Sequence, residues 1–281
     1  MEEGSLLKGS SYKERKGHKW YKLFLIGLAT YILGLAVLIW TGNSILFPSV
    51  VMLGNFLIPV TYVAFFYEKR RLSNVTMTDT VASFFFGGFL GTFAASILEP
   101  IFIHTLNFET AIMVGIIEEF SKILMVLLIF RRKRHRLQID GIILGAAAGM
   151  GFAALESIGY AFTYFLKSKE SLSVTVYITM LRGILSPLGH GTWTAILAGI
   201  IVGENRKGHF IINKKIIRAY ITVVLLHGLW DGIPYIMEII MPTGAAILIG
   251  ELIVGFTGIF ILMALWFQAK KQAREQLIVD N

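Results

Sequence analysis

Four apolar segments of this chain carry ionisable or polar residues at helical spacing. They read Glu118-Glu119-x-x-Lys122, Phe152-x-x-x-Glu156-x-x-x-Tyr160, His190-x-x-x-Thr194 and His227-x-x-x-Asp231. A charged side chain at the centre of a bilayer costs about 2.5–3.5 kcal/mol on insertion scales, so such residues usually mark a functional site. Carboxylates and imidazoles are also the groups that activate water or bind a catalytic metal. The patterns therefore predict a buried polar site with catalytic chemistry.

The spacing within two of these segments predicts specific contacts. Glu118 and Lys122 are four residues apart and can pair on one helical face. Glu119 points about 100° away, so both carboxylates reach one site only if the helix is surrounded by protein. His227 and Asp231 are also one turn apart. Asp231 can orient the imidazole there, or both residues can bind a common ion.

Depth in the membrane is the feature that connects the four segments. With a helix rise of ~1.5 Å per residue, all these polar groups lie roughly 9–15 Å below the outer ends of their helices. Two of the helices run outward and two run inward, yet the groups reach the same level. We therefore expect them to converge in the outer half of the membrane.

The elements that position these residues are long apolar helices. The chain has 281 residues, of which 55% are hydrophobic and 16% charged, which is far too apolar for a soluble domain. About 20 apolar residues cross a bilayer as helix, whereas a β-barrel would show ~10-residue alternating segments. The predicted fold is all-α, a polytopic helical membrane bundle with about eight transmembrane helices. We place them near 22–40, 44–67, 80–104, 110–130, 141–165, 176–203, 216–237 and 244–268.

The positive charges of the chain fall on alternate sides of these helices. The net charge is +8, and the side that carries both termini receives nearly all lysines and arginines. Only Lys167 and Lys169 fall on the other side. This is the positive-inside pattern, so we predict that both termini are cytoplasmic in a multi-pass protein of the cell membrane. The basic excess then reflects topology and contact with the lipid bilayer rather than nucleic acid binding.

The chain is predicted to form a single membrane domain. Residues 1–21 are a basic cytoplasmic tail, residues 22–268 form the transmembrane helical domain with a motif-bearing core at about 110–235, and residues 269–281 are a second cytoplasmic tail. The sequence contains no cysteine, so disulfides, thiol catalysis and cysteine-ligated metal are excluded.

Small residues and a proline predict how the helices pack. Gly141, Gly145 and Gly149 repeat every four residues, so the fifth span should let neighbouring backbones approach closely at the centre of the bundle. The sixth span is too long for one crossing, and Pro187 predicts a kink or half-helix just before His190.

Three other charged residues are expected to lie outside the site. Glu99, Arg182 and Glu251 fall near the outer ends of their helices, where long side chains reach toward the polar headgroups.

The four motifs, in this order on successive spans, resemble those of the PrsW family of intramembrane proteases. That family is a remote relative of the type II CAAX prenyl endopeptidases and of the APH-1 subunit of γ-secretase. The resemblance covers about residues 110–235. It implies cleavage of single-span membrane proteins, such as anti-sigma factors, near the extracytoplasmic side. By motif position, the catalytic candidates are Glu118, Glu119, Lys122, Glu156, His190, His227 and Asp231.

The chemistry of these residues leaves two mechanisms open. In one, Glu118 or Glu119 activates water, and His190 or His227 assists by moving a proton or stabilising the oxyanion. In the other, two histidines and a carboxylate bind zinc and leave a fourth position for water. The candidate zinc ligands are His190, His227 and Glu156.

Two other classes of protein also keep polar residues in membrane helices. A proton- or cation-coupled transporter needs carboxylates and histidines along its path. The absence of an internal repeat and the clustering at one depth count against it. A non-catalytic scaffold like APH-1 would keep such motifs for assembly. The paired glutamates together with both histidines favour an enzyme.

The topology can be tested directly, because the chain has no native cysteine. Single Lys133→Cys and Lys169→Cys variants should label on opposite sides of the membrane. A membrane-impermeant maleimide should modify Lys169→Cys in intact cells and Lys133→Cys only after lysis, since the basic loop is predicted to be cytoplasmic. Labelling of Lys133→Cys in intact cells would contradict the predicted orientation.

Overall fold

The computed structural model describes residues 20–130, 137–205 and 211–279, and these residues form helices joined by short connections, with no β-strand among them. The α-helices in chain order are α1 (Trp20–Thr41), α2 (Phe47–Glu68), α3 (Met77–Ala82), α4 (Gly88–Phe102), α5 (Phe108–Phe130), α6 (Gln138–Lys167), α7 (Leu172–Leu185), α8 (His190–Glu204), α9 (Lys214–Ile240) and α10 (Gly244–Val279).

The predicted all-α membrane fold is confirmed. Seven segments of the described chain are long and apolar enough to cross a membrane, counting α3 with α4 and α7 with α8 as one segment each. Helix α5 is the eighth helix of sufficient length, at 23 residues. Its composition alone does not mark it as a span, because Glu118, Glu119 and Lys122 interrupt its apolar sequence. These residues belong to the predicted site.

Helix α6 lies at the centre of the bundle, as the sequence predicted. Every residue from Gln138 to Ala154 is buried. A Cβ on Gly141 would lie 2.5 Å from the Ala198 carbonyl oxygen, and one on Gly149 would overlap the carbonyl oxygen of His190. The glycines thus let α8 lie directly against α6, and this contact sets the position of His190.

The sixth span is broken where Pro187 predicted an irregularity. Helix α7 ends at Leu185, a 3-10 turn covers Ser186–Leu188, and α8 begins at His190. The Thr192 hydroxyl donates a hydrogen bond to the Pro187 carbonyl at 2.6 Å, which satisfies a backbone group exposed by the break. The break places His190 at the start of a helix inside the bundle.

The last helix is longer than the sequence predicted. Helix α10 continues to Val279 and therefore includes most of the segment predicted as a C-terminal tail. Residues 269–279 contain no glycine or proline and are rich in good helix formers, so nothing in their sequence ends the helix. The basic tail before Trp20, the arginine-rich residues 131–136 and the residues 206–210 lie outside the described residues. The sidedness of the positive charges stays a prediction.

The close packing of α6 on α8 predicts the effect of adding one methyl group. A Cβ on Gly145 would lie 2.5 Å from the Thr194 carbonyl oxygen and 2.6 Å from the Ala198 Cβ, and the backbone there cannot yield easily. Gly145→Ala should therefore lower the unfolding free energy by roughly 1–3 kcal/mol. Denaturation in detergent would measure it.

Gly159→Ala on the same helix is the matched control, because nothing lies within 4 Å of its added Cβ. Equal stability of the two variants would show that the α6–α8 contact tolerates a methyl group.

Candidate active site

The site is centred on a fully buried lysine of α5. The Lys122 Nζ lies 2.9 Å from the Glu118 Oε2 and 3.0 Å from the Glu119 Oε1. It also lies 2.8 Å from the Nδ1 of His190. Its position over the ring of Phe152, 3.9 Å from the centroid, adds a cation–π contact. One ammonium therefore contacts both glutamates and reaches across to α8.

A second chain of contacts runs from His190 through α6 to α7. The Nε2 of His190 lies 2.9 Å from the Glu156 Oε2. The Arg182 Nη2 donates to the same oxygen at 2.6 Å. Both nitrogens of the His190 ring therefore have polar partners, the Lys122 ammonium on one side and the Glu156 carboxylate on the other.

His227 of α9 contacts both glutamates of α5 and the aspartate of its own helix. Its Nδ1 lies 3.1 Å from the Glu119 Oε1, and its Nε2 lies 3.2 Å from the Asp231 Oδ2 and 3.5 Å from the Glu118 Oε2. The remaining oxygen of Glu119 accepts a hydrogen bond from the Thr194 hydroxyl at 3.3 Å. Glu119 is therefore enclosed on all sides.

Aromatic rings hold the two imidazoles in place. The Trp193 ring stacks on His227 with centroids 4.7 Å apart and meets His190 edge-on at 5.4 Å. The His190 and His227 ring centroids are 5.0 Å apart. The two imidazoles thus pack edge to face, and both lie beside Glu118.

The site is closed on one side and open on the other. Side-chain exposure rises from 0% at Glu119 and 6% at Glu118 to 13% at His190, 19% at Glu156 and 37% at Asp231. The site is therefore least buried toward Glu156 and Asp231, and Glu119 is its most enclosed carboxylate.

Glu118, His190 and His227 form a group that can hold a metal ion, because one ligand atom from each lies within 4.8 Å of the others. The Glu118 Oε2 is 3.5 Å from the His227 Nε2 and 3.8 Å from the His190 Nδ1. Tetrahedral zinc with bonds of 2.0–2.1 Å separates its ligand atoms by about 3.4 Å. The donors thus fit zinc in type and spacing after a small adjustment.

The side chain of Lys122 contacts two atoms of the candidate metal site. Lys122 contacts the Glu118 Oε2 and the His190 Nδ1, the same atoms that would ligate a metal, so its ammonium would have to withdraw from both. From the sequence, Glu156 was expected to be the carboxylate ligand of the zinc ion. In the structure Glu156 instead contacts the far nitrogen of His190 and pairs with Arg182, while Glu118 lies with the two histidines.

The expectation that Arg182 and Glu99 lie outside the site is wrong. Arg182 contacts Glu156 directly. The Glu99 carboxyl interacts with that of Glu118. The expected position of Glu251 stays a prediction. The positions of Arg182 and Glu99 near the ends of predicted spans suggested that they reach toward the headgroups. No local sequence signal shows that these helix ends face one another.

Comparison with known proteins identifies the family of this chain. The sequence profile described as "PrsW family intramembrane metalloprotease" matches residues 77–266, which is more than half of the chain and includes all four motifs. The chain belongs to the PrsW family. The matched range is longer than residues 110–235, over which the motifs alone resemble the family. It also includes α3, α4 and most of α10.

Two curated relatives carry the name of the family. Protease PrsW of Halalkalibacterium halodurans is 25% identical over 177 residues, which cover 61% of this chain and 77% of the relative. Protease PrsW of Clostridioides difficile is 25% identical over 192 residues, covering 63% of this chain and 76% of the relative. No solved structure matches the chain.

PrsW membership decides among the three classes that the sequence left open. The chain is a membrane-embedded, multi-pass protease rather than a transporter or a scaffold. A protease of this kind acts on membrane proteins within or beside the bilayer.

Proposed function

We propose that the protein is an intramembrane endopeptidase that hydrolyses single-span membrane proteins near the extracytoplasmic side. One observation carries the proposal: Glu118, His190 and His227, from three different helices, bring their polar atoms within 4.8 Å of one another, beside the partly exposed Glu156 and Asp231. An anti-sigma factor is the substrate class that the family resemblance implies. The predicted topology supports the side of cleavage, because it places this depth in the outer half of the membrane.

Glu118 is the carboxylate best placed to act on water. It is the member of the glutamate pair that adjoins both imidazoles and the open side, whereas the oxygens of Glu119 are occupied by Lys122, Thr194 and His227. We assign Glu118 as the general base. It takes a proton from a water molecule while the water oxygen attacks the peptide carbonyl carbon. Glu119 then acts mainly by holding Lys122 and the His227 ring in place.

His227 is the group best placed to return the proton. Both of its ring nitrogens face carboxylate oxygens, so a protonated ring with two N–H donors satisfies Glu119 and Asp231 together. From this position its Nε2 can donate a proton to the leaving amine as the C–N bond breaks. His190 contributes the facing wall, with its Nε2 fixed by Glu156.

The donor set also supports a second, metal-dependent mechanism, in which Glu118 and His227 would be metal ligands rather than the base and the acid. Glu118, His190 and His227 would hold zinc, and two His with one carboxylate is an established donor set for catalytic zinc sites. Zinc bound there would polarise the peptide carbonyl and make a bound water more acidic.

Glu118→Gln tests the role of the carboxylate in both forms. The amide keeps the shape of the side chain but cannot accept a proton, so cleavage of a single-span reporter should fall by at least ~100-fold. The variant should stay folded, because Glu119 still neutralises Lys122 at 3.0 Å. Cleavage in proteoliposomes and thermal unfolding would measure the two effects. Near wild-type cleavage by the Glu118→Gln/Glu119→Gln double variant would show that these glutamates are structural.

Metal content separates the two forms and also the two proposed ligand sets. If Glu118, His190 and His227 bind zinc, then Glu118→Gln, His190→Ala and His227→Ala should each lose it, whereas Glu156→Gln should retain it. Elemental analysis of protein purified without chelators gives this result independently of activity. Zinc lost from Glu156→Gln but kept by Glu118→Gln would favour Glu156 as the ligand. If the wild-type protein cleaves its reporter without containing zinc, the metal-dependent mechanism is excluded and the metal-free mechanism remains.

A further inference from the structure

We infer that Arg182 is a positioning residue of the protease site, holding Glu156 and, through it, the imidazole of His190. This inference rests on the proposed function. Arg182 lies outside the four motifs, on the half-helix α7. It nevertheless joins the site by a direct contact at 2.6 Å, between its Nη2 and the Glu156 Oε2.

Three residues on one face of α6 bind the guanidinium. Glu156 accepts from the Nη2, the Ser157 hydroxyl accepts from the Nε at 3.0 Å, and the Tyr160 ring lies under the Cζ with its centroid 3.9 Å away. These contacts depend on the positive charge of the guanidinium, on the directions of its N–H donors and on its flat face. An ammonium on a flexible stem reproduces only the charge. The site is therefore built for arginine.

These contacts also explain the spacing of the second motif. Phe152, Glu156 and Tyr160 lie one turn apart on α6. The Phe152 ring supports the Lys122 ammonium, the Tyr160 ring supports Arg182, and Glu156 lies between them. The motif therefore seats two cations on either side of a carboxylate.

Glu156 passes the constraint on to His190. The Glu156 Oε2 receives both Arg182 and the His190 Nε2, so this nitrogen carries the hydrogen and the Nδ1 presents its lone pair to Lys122 and the space beside Glu118. Without the guanidinium, Glu156 would lose its counterion in a low-dielectric environment and would no longer be held to one rotamer. The orientation and tautomer of His190 would then be free to change.

The same contacts bridge the break in the sixth span. Arg182 lies before the break and His190 lies just after it, and both bind one oxygen of Glu156 on α6. Glu156 thus ties the end of α7 and the start of α8 to a single point. The two half-helices are therefore linked through α6 beside the site.

The test compares cleavage by Arg182→Met, Arg182→Lys, Glu156→Gln and the Arg182→Met/Glu156→Gln double variant, each normalised to folded protein. Arg218→Met is the matched control, since it removes an exposed arginine near the start of α9. Arg182→Met should lower kcat by about 10–100-fold, as loss of a residue that orients a functional group typically does. KM should change less than about threefold, since substrate binding is not removed. Arg182→Lys should be intermediate.

The double variant shows whether Arg182 acts through Glu156. If it does, adding Arg182→Met to Glu156→Gln should lower kcat by less than about threefold further, because the contact is already lost. Effects that multiply, a rise in KM alone, or an unchanged kcat per folded Arg182→Met molecule would each overturn the positioning role.

A second readout does not depend on proteolysis. Diethyl pyrocarbonate modifies unprotonated imidazole nitrogens, and peptide mass spectrometry reports each histidine separately. Arg182→Met should speed modification of His190 several-fold relative to wild type and Arg218→Met, while His227 stays slow as an internal reference. Failure of the wild type to cleave any reporter would overturn the proposed function. The rate at His190 would still decide the positioning role, and an unchanged rate would refute it.

Discussion

The fold depends on the cost of burying Lys122 and two carboxylates in a membrane helix. None of these groups can face lipid without a large penalty, so α5 has to be enclosed by other helices. Helices α4, α6, α8 and α9 all pack against it. Both glutamates reach the site because of this enclosure, although they point in different directions from α5. The paired carboxylates therefore set the architecture as well as the chemistry.

The glycine face of α6 makes that enclosure compact. In lipid, helices associate through close packing and polar contacts, because the surrounding hydrocarbon is as apolar as their side chains. Gly141, Gly145 and Gly149 bring the α8 backbone against α6, and Gly149 lies at the level of His190. A larger residue at Gly149 would displace the start of α8 and separate His190 from Glu156. The glycine that allows close packing of α6 on α8 thus also allows the contact between His190 and Glu156.

Local patterns predicted most of the fold but only the contacts of the site that form within a single helix. The spans, the central position of α6 and the break before His190 follow from apolar length, glycine spacing and Pro187. The Glu118–Lys122 and His227–Asp231 pairs follow from helical periodicity. Contacts between distant segments have no such signal. Lys122 with His190, and Glu156 with Arg182, depend on which helix faces which.

Arg182 and Glu99 show that depth in a predicted span does not locate a side chain. Both were expected near the headgroups because of their height in the predicted spans, yet they contact Glu156 and Glu118. Height does not tell whether a side chain points to the interior or to the lipid. Arg182 also belongs to a half-helix whose end is inside the bundle, so the distance to a span end overestimates how close it is to water. The same ambiguity affects the metal ligands, since Glu118 and Glu156 lie at similar depth and only the tertiary structure distinguishes them.

The polar groups proposed to catalyse the reaction also hold the helices together through the same contacts. From Glu118 the contacts pass to Lys122, His190, Glu156 and Arg182, and each of the last three steps crosses to another helix. These steps join α5, α8, α6 and α7, which have no hydrophobic effect to hold them together within the bilayer. Removing a whole side chain therefore disturbs both the protein fold and the reaction. Isosteric changes such as Glu→Gln, which preserve packing and remove only charge and basicity, are the ones that separate the two.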